Sequence, residues 1–267
     1  MIKLIAIDLD GTLFDSKSEI SRENKQAIAK CRENGIKSVI TSAKPSLIVG
    51  KLAKMLNLDT PQISYSGALI IENYTKIMFE LKVPPEECKE IISLCREWGK
   101  GLTLGANDGL LYYDEKHPYL KIVTDTGDKI VKTKNVASEE LISKAIMFSI
   151  SAYENDGFEE FIKSKIKSKS IKIVRGSPTS FLIFNSKADK FLAVRKVMEM
   201  YDIEKDELMA IGDSNNDLEI VKFAGIGIAM GNSVEDLKKI ADYIVPDNDS
   251  NGVAFAINNY VLNQKVL

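Results

Sequence analysis

Two aspartates, Asp8 and Asp10, stand one residue apart in the stretch AIDLDGTLFD, directly after a short apolar run and ahead of a glycine. Side chains two residues apart in an extended segment point the same way, so these carboxylates would repel each other in a partly desolvated site. A nearby cation relieves that repulsion. Oxygen ligands without histidine or thiolate favour a hard ion, and Mg²⁺ fits because it keeps several waters and needs few protein ligands.

Two further polar clusters also stand where predicted strands end. Thr41 and Ser42 come at the end of IKSVIT, and Asp213 and Asp217 come at and just after the end of LMAIGD. In an open parallel sheet the ligand crevice lies beyond the carboxyl ends of the strands. We therefore expect these clusters to converge with Asp8 in one pocket, where Asp213 offers the cation a further carboxylate.

Such a site suits phosphoryl transfer, because Mg²⁺ removes the repulsion between an attacking carboxylate and the phosphoryl group. A second carboxylate, kept protonated, can give its proton to the departing alkoxide. In this interpretation Asp8 is the nucleophile, and Asp10 is first the acid and later the base that activates water on the aspartyl-phosphate. Gly11 lets the backbone turn tightly beneath the phosphate, and Thr12 fixes the loop by hydrogen bonding.

Two predicted helix starts offer further donors to the phosphoryl oxygens. Ser42 has a hydroxyl and Ala43 a backbone N–H, just before a helix whose N-terminal dipole favours anions, although an ordinary turn explains them equally. Lys190 falls in the first turn of another helix, where a cation opposes the macrodipole unless an anion lies nearby. Asp189 can be that anion as a mere N-cap, so a functional and a structural role for Lys190 both stay open.

The elements that must position these residues alternate in type along the chain. Apolar runs such as KLIAID predict strands buried on both faces, and periodic segments such as SRENKQAIAKCRENG predict the helices between them. The alternation returns late in the chain, whereas the middle mixes helices with hairpin-like stretches. We therefore predict an α/β fold with a Rossmann-like parallel-sheet core, residues 1–81 and 186–267, and an inserted α+β cap domain, residues 82–185.

The bulk composition excludes several classes of protein. Of 267 residues, 45% are hydrophobic and 28% charged, and no apolar run approaches the roughly 18 residues of a membrane span. A net charge of −2 does not indicate the basic surface that binds nucleic acid. The lysine-rich run 163–172 is expected to be a solvated face. Three cysteines without a CxxC pair predict buried thiols, and the lack of an export pattern favours the cytoplasm.

The motif DLDGTL, followed much later by GDSNND, resembles those of the haloacid dehalogenase-like (HAD) phosphatases. The chain is most similar to their Cof-type branch, which carries a large α/β cap inserted between the second and third motifs, and the resemblance extends over essentially the whole sequence. It implies that Asp8 is the nucleophile and a metal ligand. It also implies that Asp10 is the acid and base, with a backbone carbonyl that binds Mg²⁺.

The resemblance assigns roles to the third polar cluster as well. Asp213 would be a metal ligand, and Asn216 would reach the phosphate. Asp217 would support either the metal or Lys190, and Lys190 itself would be the lysine that contacts the phosphoryl group.

The middle motifs depart from the usual pattern of the family. Residues 42–44 read SAK in place of Thr-Gly-Arg, which keeps the hydroxyl and the backbone N–H for phosphate binding. The lysine motif begins at Lys190 but has Phe191 where the family usually has glycine. Lys187 is a competing candidate, although only Lys190 stands at the predicted helix start. Ser66 replaces the asparagine of a loop that commonly reads Asn-Gly-Ala.

We expect a Mg²⁺-dependent phosphomonoester hydrolase that acts through an aspartyl-phosphate on small phosphorylated metabolites such as sugar phosphates. A phosphomutase of the same branch and a receiver-like phosphorylation switch are the alternatives. A second carboxylate two residues after the nucleophile and a cap-sized insert both favour an enzyme over the switch, whereas isomerised product without free phosphate would indicate the phosphomutase. Cap side chains, for instance in GANDGLLYYDEK (105–116), are expected to select the substrate, whereas His117 is expected in a surface loop.

Overall fold

A computed structural model describes residues 1–114, 130–153 and 156–263 of the chain. The predicted surface loop around His117 lies outside these ranges. Within them, the larger of two sheets contains the strands β1 (Leu4–Asp8), β2 (Lys37–Thr41), β3 (Gln62–Ser64), β4 (Leu69–Glu72), β5 (Lys76–Glu80), β12 (Leu208–Gly212), β13 (Ile226–Ala229) and β14 (Tyr243–Ile244). Their spatial order is β14-β13-β12-β1-β2-β3-β4-β5.

The central strand β1 pairs in parallel with both β2 and β12. Asp8 lies beside Thr41 in one pairing, and Ile7 lies beside Ile211 in the other. Strands β3, β13 and β14 extend the parallel part, and the carboxyl ends of β1, β2 and β12 meet at one edge of the sheet. The antiparallel strands β4 and β5 complete the sheet beyond β3 and were not predicted from the sequence.

Helices cover both faces of this sheet. One face packs against α1 (Arg22–Glu33), α2 (Ser46–Met55) and α9 (Gly252–Ile257), and the other against α6 (Lys190–Met200), α7 (Leu218–Phe223) and α8 (Glu235–Ile240). Side chains alternate along a strand, so Ile5 and Ile7 of β1 join the first cluster, whereas Leu4 and Ala6 join the second. The resulting burial on both faces explains the continuous apolar run of β1.

The smaller sheet forms the cap. It contains β6 (Leu102–Ala106), β7 (Leu111–Asp114), β8 (Ile130–Thr133), β9 (Ala145–Ser151), β10 (Ile171–Ser177) and β11 (Ser180–Asn185), in the spatial order β10-β11-β9-β6-β7-β8. One face packs against α3 (Pro85–Glu97), α4 (Glu139–Ile142) and α5 (Phe158–Lys165). Helix α4 is shorter than the predicted SEELISKA because β9 already begins at Ala145.

The hairpin between β6 and β7 docks the cap onto the core. Tyr65, fully buried, donates a hydrogen bond from its hydroxyl to the backbone oxygen of Ala106 at 3.0 Å. Asn107 Nδ2 donates to Glu80 Oε2 at 2.9 Å. Gly109 has a φ of +80°, and a Cβ there would lie 2.5 Å from the backbone nitrogen of Leu47, so glycine allows the turn to approach α2 closely.

The predicted fold class is confirmed: a parallel-sheet α/β core carries a second, mixed sheet with its own helices. The boundaries of the cap at residues 81/82 and 185/186 stay a prediction, although β5 ends at residue 80 and β11 at residue 185. Among the described residues, no helix is both long enough and apolar enough to cross a bilayer.

Candidate active site

Asp8 is the last residue of β1, and its buried carboxylate contacts a lysine from a distant part of the chain. Lys190 Nζ donates to Asp8 Oδ1 and, at 2.9 Å, to Asp217 Oδ1. Asp189 caps α6 by accepting a hydrogen bond from the backbone nitrogen of Leu192. The ammonium of Lys190 is paired with Asp8 and Asp217. Asp189 as N-cap is therefore not the sole anion that offsets the positive charge at this helix start.

The segment after Asp8 turns sharply and brings Asp10 to the mouth of the site. Gly11 has a φ of +79°, and a Cβ there would lie 2.5 Å from Asp213 Oδ2. Thr12, fully buried, donates from Oγ1 to Asp213 Oδ1 at 3.1 Å. The glycine and the threonine therefore hold the first motif directly against Asp213, as the sequence predicts for a tight loop fixed by hydrogen bonding.

Asp217 is a buried carboxylate with both oxygens already engaged. Its Oδ2 accepts hydrogen bonds from the backbone nitrogens of Asp213 and Ser214 at 3.3 and 3.2 Å, and from Ser214 Oγ at 2.9 Å. Its Oδ1 accepts from Lys190. Asp217 thus links the loop after β12 to the lysine.

Asp8, Asp213 and Asp217 form a carboxylate cluster in which one oxygen of each lies within 4.8 Å of the others. Three carboxylates facing one ammonium leave an excess of two negative charges when all are ionised. Burial raises the pKa of Asp8 well above its ordinary value, and the charge of Asp217 adds to that rise. Burial and Asp217 likewise raise the pKa of Asp213. An all-oxygen donor set with this charge fits a hard divalent cation.

Lys190 remains a cation in this environment. Burial lowers the pKa of its ammonium, but the carboxylates of Asp8 and Asp217 outweigh burial and raise that pKa above its ordinary value. The lysine is therefore available as a fixed positive charge beside the nucleophile candidate.

The loop after β2 supplies the other side of the site. Ser42 is buried, and its hydroxyl oxygen accepts a hydrogen bond from the backbone nitrogen of Lys44 at 3.0 Å. The side chain of Lys44 lies 3.2 Å from Asp10 Oδ1, so the residue that replaces the family's arginine pairs with the predicted acid. Ala43 stands between them and faces the cavity.

A cavity of about 520 Å³ lies between the core and the cap. Five of the predicted site residues line it, namely Asp8, Asp10, Ala43, Lys190 and Asn216. Asp213 and Asp217 adjoin them through the hydrogen bonds described above, and Ser66 also contributes to the wall. Lys187 is exposed and does not line the cavity, which favours Lys190 as the lysine of the site.

The cap side of the cavity differs from the sequence expectation. It is lined by Lys172, Val174, Leu182 and Phe184 of β10 and β11. The described part of GANDGLLYYDEK, residues 105–114, contributes nothing to this wall, because its turn packs on α2 instead. The expectation that the run 163–172 is a solvated face holds for Lys163, Lys165, Lys167 and Lys169 but is wrong for Lys172.

The cap residues carry a sequence signal that was overlooked. In IKIVRG (171–176) and SFLIF (180–184), residues two apart share a face of the sheet, so Lys172 and Val174 lie on one face of the first strand and Ile171 and Ile173 on the other. A second omission is Asn232, whose side chain reaches the backbone of Gly11. No local pattern indicates that contact, since it joins residues 221 positions apart.

The fold and the site together define a class of hydrolase, and comparisons with known proteins identify it. Residues 5–257 match the haloacid dehalogenase-like hydrolase family. The chain is 29% identical over 264 residues to the 5-amino-6-(5-phospho-D-ribitylamino)uracil phosphatase YcsE of Bacillus subtilis, covering 98% of this chain and 96% of that protein. It is 26% identical over 279 residues to the phosphatase YwpJ of the same organism, covering 95% and 98%.

Among solved structures, a haloacid dehalogenase-like hydrolase from Bacteroides thetaiotaomicron matches with a TM-score of 0.88 and 31% sequence identity, over 97% of this chain and 99% of that one. The chain belongs to the haloacid dehalogenase-like hydrolases. The predictions of an enzyme, of the HAD phosphatase superfamily and of a Cof-type member are therefore confirmed.

Proposed function

We propose that this chain is a Mg²⁺-dependent phosphomonoester hydrolase that acts through an aspartyl-phosphate on Asp8. Its substrates are small phosphorylated metabolites of the cytoplasm, sugar phosphates among them. The observation that carries the proposal is the buried Asp8 carboxylate, paired with Lys190 and clustered with Asp213 at the floor of a cavity covered by the cap. The similarity to YcsE, named for a phosphorylated ribitylamino compound, supports a small-metabolite substrate.

The side chains of Asp8 and Asp213 and the backbone carbonyl of Asp10 would hold the Mg²⁺ ion. Asp217 belongs to the same carboxylate cluster, but its hydrogen bonds to Lys190 and Ser214 suit it better to support than to direct ligation. The bound ion would offset the negative charge of the cluster and of the phosphoryl group. We assign residues 82–185 as the cap that covers this site.

We assign the binding of the phosphoryl oxygens to four residues, Lys190, Asn216, Ala43 and Ser42. Lys190 contributes a charge beside Asp8, and Asn216 and the backbone of Ala43 face the same cavity. Ser42 is buried next to Ala43 and does not itself line the cavity; its hydroxyl oxygen accepts from Lys44 N–H, which leaves the hydroxyl hydrogen as a donor. These donors would stabilise charge that develops on the phosphoryl group in the transition state.

In the first step an Asp8 carboxylate oxygen attacks the phosphorus, and the bond from phosphorus to the ester oxygen breaks. Asp10, protonated at this stage, donates its proton to that leaving oxygen, so the alcohol departs neutral. Asp10 lies on the loop beyond Asp8 and is half exposed at the cavity. Its carboxylate lies 3.2 Å from the ammonium of Lys44.

In the second step Asp10, now a carboxylate, takes a proton from a water molecule. The water oxygen attacks the phosphorus of the aspartyl-phosphate, and the bond from phosphorus to the Asp8 oxygen breaks. Asp8 is released as a carboxylate together with inorganic phosphate, and Asp10 is protonated for the next cycle. Acid and base roles thus fall on one residue, whereas the nucleophile keeps its contact with Lys190.

Turnover of p-nitrophenyl phosphate with and without Mg²⁺, followed by a screen of phosphorylated metabolites ranked by kcat/KM, tests the proposal. Sustained release of inorganic phosphate that stops on chelation is the expected result. A receiver-like switch would stop after one equivalent of phosphorylation, and a phosphomutase would yield isomerised sugar phosphate without free phosphate. Either of those outcomes would replace the hydrolase.

A further inference from the structure

Three consecutive residues between β3 and β4 have positive φ. The values are +49° for Tyr65, +54° for Ser66 and +91° for Gly67. Glycine adopts such values freely, whereas serine and tyrosine adopt them only where surrounding contacts hold the backbone in place. We call residues 65–67 the left-handed turn. Its conformation therefore depends on the elements that it contacts.

The left-handed turn contacts the loop after β2 through two backbone hydrogen bonds. The backbone nitrogen of Ser66 donates to the backbone oxygen of Ser42 at 2.9 Å, and that of Tyr65 donates to the backbone oxygen of Lys44 at 3.1 Å. The carbonyl of Ser42 and the N–H of Ala43 belong to one planar peptide group. The hydrogen bond from Ser66 therefore fixes the direction of the Ala43 N–H, which we assign to the phosphoryl group.

The left-handed turn also packs against the start of α6. A Cβ on Gly67 would overlap the backbone oxygen of Asp189 and would lie 2.9 Å from the backbone nitrogen of Lys190. Lys190 carries the ammonium that is paired with Asp8. The turn thus lies against both segments that supply phosphoryl donors, the loop after β2 and the start of this helix.

The cap reaches the left-handed turn through the side chain of Tyr65, which is fully buried. The hydroxyl donates to the backbone oxygen of Ala106 at 3.0 Å, and a Cβ on Gly105 would lie 2.8 Å from Tyr65 Cε1. Both of these contacts are with strand β6 of the cap. Tyr65 does not line the cavity, so an effect of its hydroxyl on the reaction must act through the turn.

We infer that Tyr65 is a positioning residue. Through its hydroxyl the cap holds the left-handed turn, and the turn holds the Ala43 N–H and the Lys190 ammonium in the geometry that the phosphoryl transition state requires. Without the hydrogen bond to Ala106 the turn can relax, and donors aimed at transition-state charge lose much of their effect when they are displaced. The inference rests on the proposed hydrolase function and gives the cap a part in the chemical step.

Tyr65→Phe tests this role, because it removes the hydroxyl and keeps the ring. We expect kcat to fall about tenfold with p-nitrophenyl phosphate and with a sugar phosphate alike, while KM changes little. Tyr112→Phe is the matched control, because Tyr112 lies on the neighbouring strand β7 and its hydroxyl donates to Asp108 within the same hairpin at 2.9 Å. Unaltered kcat in Tyr65→Phe, or an equal fall in Tyr112→Phe, overturns the inference.

The strain of the left-handed turn provides a rescue experiment. Asparagine, which is common at position 66 in the family, adopts positive φ more readily than serine. In a Ser66→Asn background the turn should depend less on Tyr65, so Tyr65→Phe should lower kcat by about threefold or less relative to Ser66→Asn alone. Circular dichroism confirms that all variants are folded at the assay temperature. An undiminished tenfold loss in the Ser66→Asn background contradicts the inference.

Binding of orthovanadate separates this inference from the proposed function. Vanadate becomes five-coordinate on an attacking carboxylate and so resembles the phosphoryl transition state, whereas inorganic phosphate resembles the product. In calorimetric titrations with Mg²⁺, Tyr65→Phe should weaken vanadate binding about tenfold and phosphate binding less. This selective loss, combined with no phosphate release by the wild-type protein, would refute the hydrolase and support the positioning role. Phosphate release with equal vanadate affinity in both proteins would refute the positioning role and support the hydrolase.

Discussion

The side chain of Asn232 donates a hydrogen bond from Nδ2 to the backbone oxygen of Gly11 at 2.8 Å. Asn232 Oδ1 accepts from the backbone nitrogen of Asn248 at 3.1 Å, and Asn248 Nδ2 donates to the backbone oxygen of Phe14 at 2.9 Å. Two asparagines from the C-terminal part of the chain thus hold the loop that carries Asp10 at two points, Gly11 and Phe14. In the proposed mechanism this loop must place Asp10 within reach of the leaving oxygen.

Asn232→Ala should lower kcat by about tenfold while changing KM little, because misplacement of a catalytic group affects the chemical step more than binding. Steady-state kinetics on one phosphomonoester provide the measurement. Asn259→Ala is the control, since Asn259 Nδ2 also donates to a backbone oxygen, that of Phe255, but on an exposed helix end. A change in KM with kcat unaltered would contradict a positioning role for Asn232.

Asp8→Asn should reduce turnover by about 10⁴-fold or more, because the amide is a poor nucleophile and forms no stable phosphoryl ester. The fold should survive, since the substitution removes one negative charge from a cluster that has an excess of them. Phosphate release and the circular dichroism spectrum check both parts. Hydrolysis at the wild-type rate would refute the nucleophile.

Asp10→Asn should reduce turnover by about 10²- to 10⁴-fold, the range expected for loss of a general acid and base. The loss should be smaller for p-nitrophenyl phosphate than for a sugar phosphate, because an aryl oxide is a better leaving group and needs less protonation. Comparison of kcat for the two substrates makes the test. An equal loss for both would remove the leaving-group role from Asp10.

Binding of Mg²⁺ should change the free energy of unfolding as well as the rate of turnover. Burial raises the pKa of Asp8, so ionising this group costs more in the folded chain than in the unfolded chain. In the metal-free protein this group favours folding at acidic pH, and the free energy of unfolding should fall as the pH rises through the raised pKa. Mg²⁺ should offset the fall, because it binds the ionised cluster.

Urea unfolding at acidic and neutral pH, each with Mg²⁺ and with a chelator, measures this effect. Asp213→Asn should weaken the stabilisation by Mg²⁺ at neutral pH, whereas Asp236→Asn should not, because Asp236 is an exposed acid paired with Lys239. Equal Mg²⁺ stabilisation in both variants would place the ion elsewhere.

Of the glycines beside the site, Gly67 is the one whose replacement we expect to be most damaging. It has a φ of +91°, and a Cβ there would overlap the backbone oxygen of Asp189, just before Lys190. Gly67→Ala should therefore lower both the free energy of unfolding and kcat. Gly35→Ala is the control, because Gly35 also has a positive φ, of +75°, but nothing lies within 4 Å of the added Cβ. This variant should therefore show only the backbone strain of a left-handed alanine, about 1 to 2 kcal/mol, with no steric clash.

The carboxylates at the strand ends could be predicted because short stretches of sequence indicate them. Asp8 and Asp213 each follow a buried apolar strand, and parallel strands bring their carboxyl ends together whatever the length of chain between them. The cap wall could not be predicted, because the side of β10 that faces the core depends on how the two sheets dock. The pattern of IKIVRG sets Lys172 on one face of a strand, but nothing in the sequence shows that this face turns toward the core.

The same limit applies to Asp10 and Lys44. Their pairing at 3.2 Å depends on the turn after β2 facing the turn after β1, which follows from strand order and not from either motif alone. The β4 and β5 hairpin was not predicted, although the polar turn at Asn73 and Tyr74, both with positive φ, separates its two apolar stretches.

Strand β11 ends at Asn185, and α6 begins only five residues later with Lys190. The cap strand whose Leu182 and Phe184 line the cavity is thus joined to the lysine beside Asp8 by a very short connection. A tilt of the cap sheet against an ill-fitting molecule would pull on the start of α6 and shift its charge relative to Asp8. Discrimination among substrates in this enzyme would then appear in catalytic rate as much as in affinity.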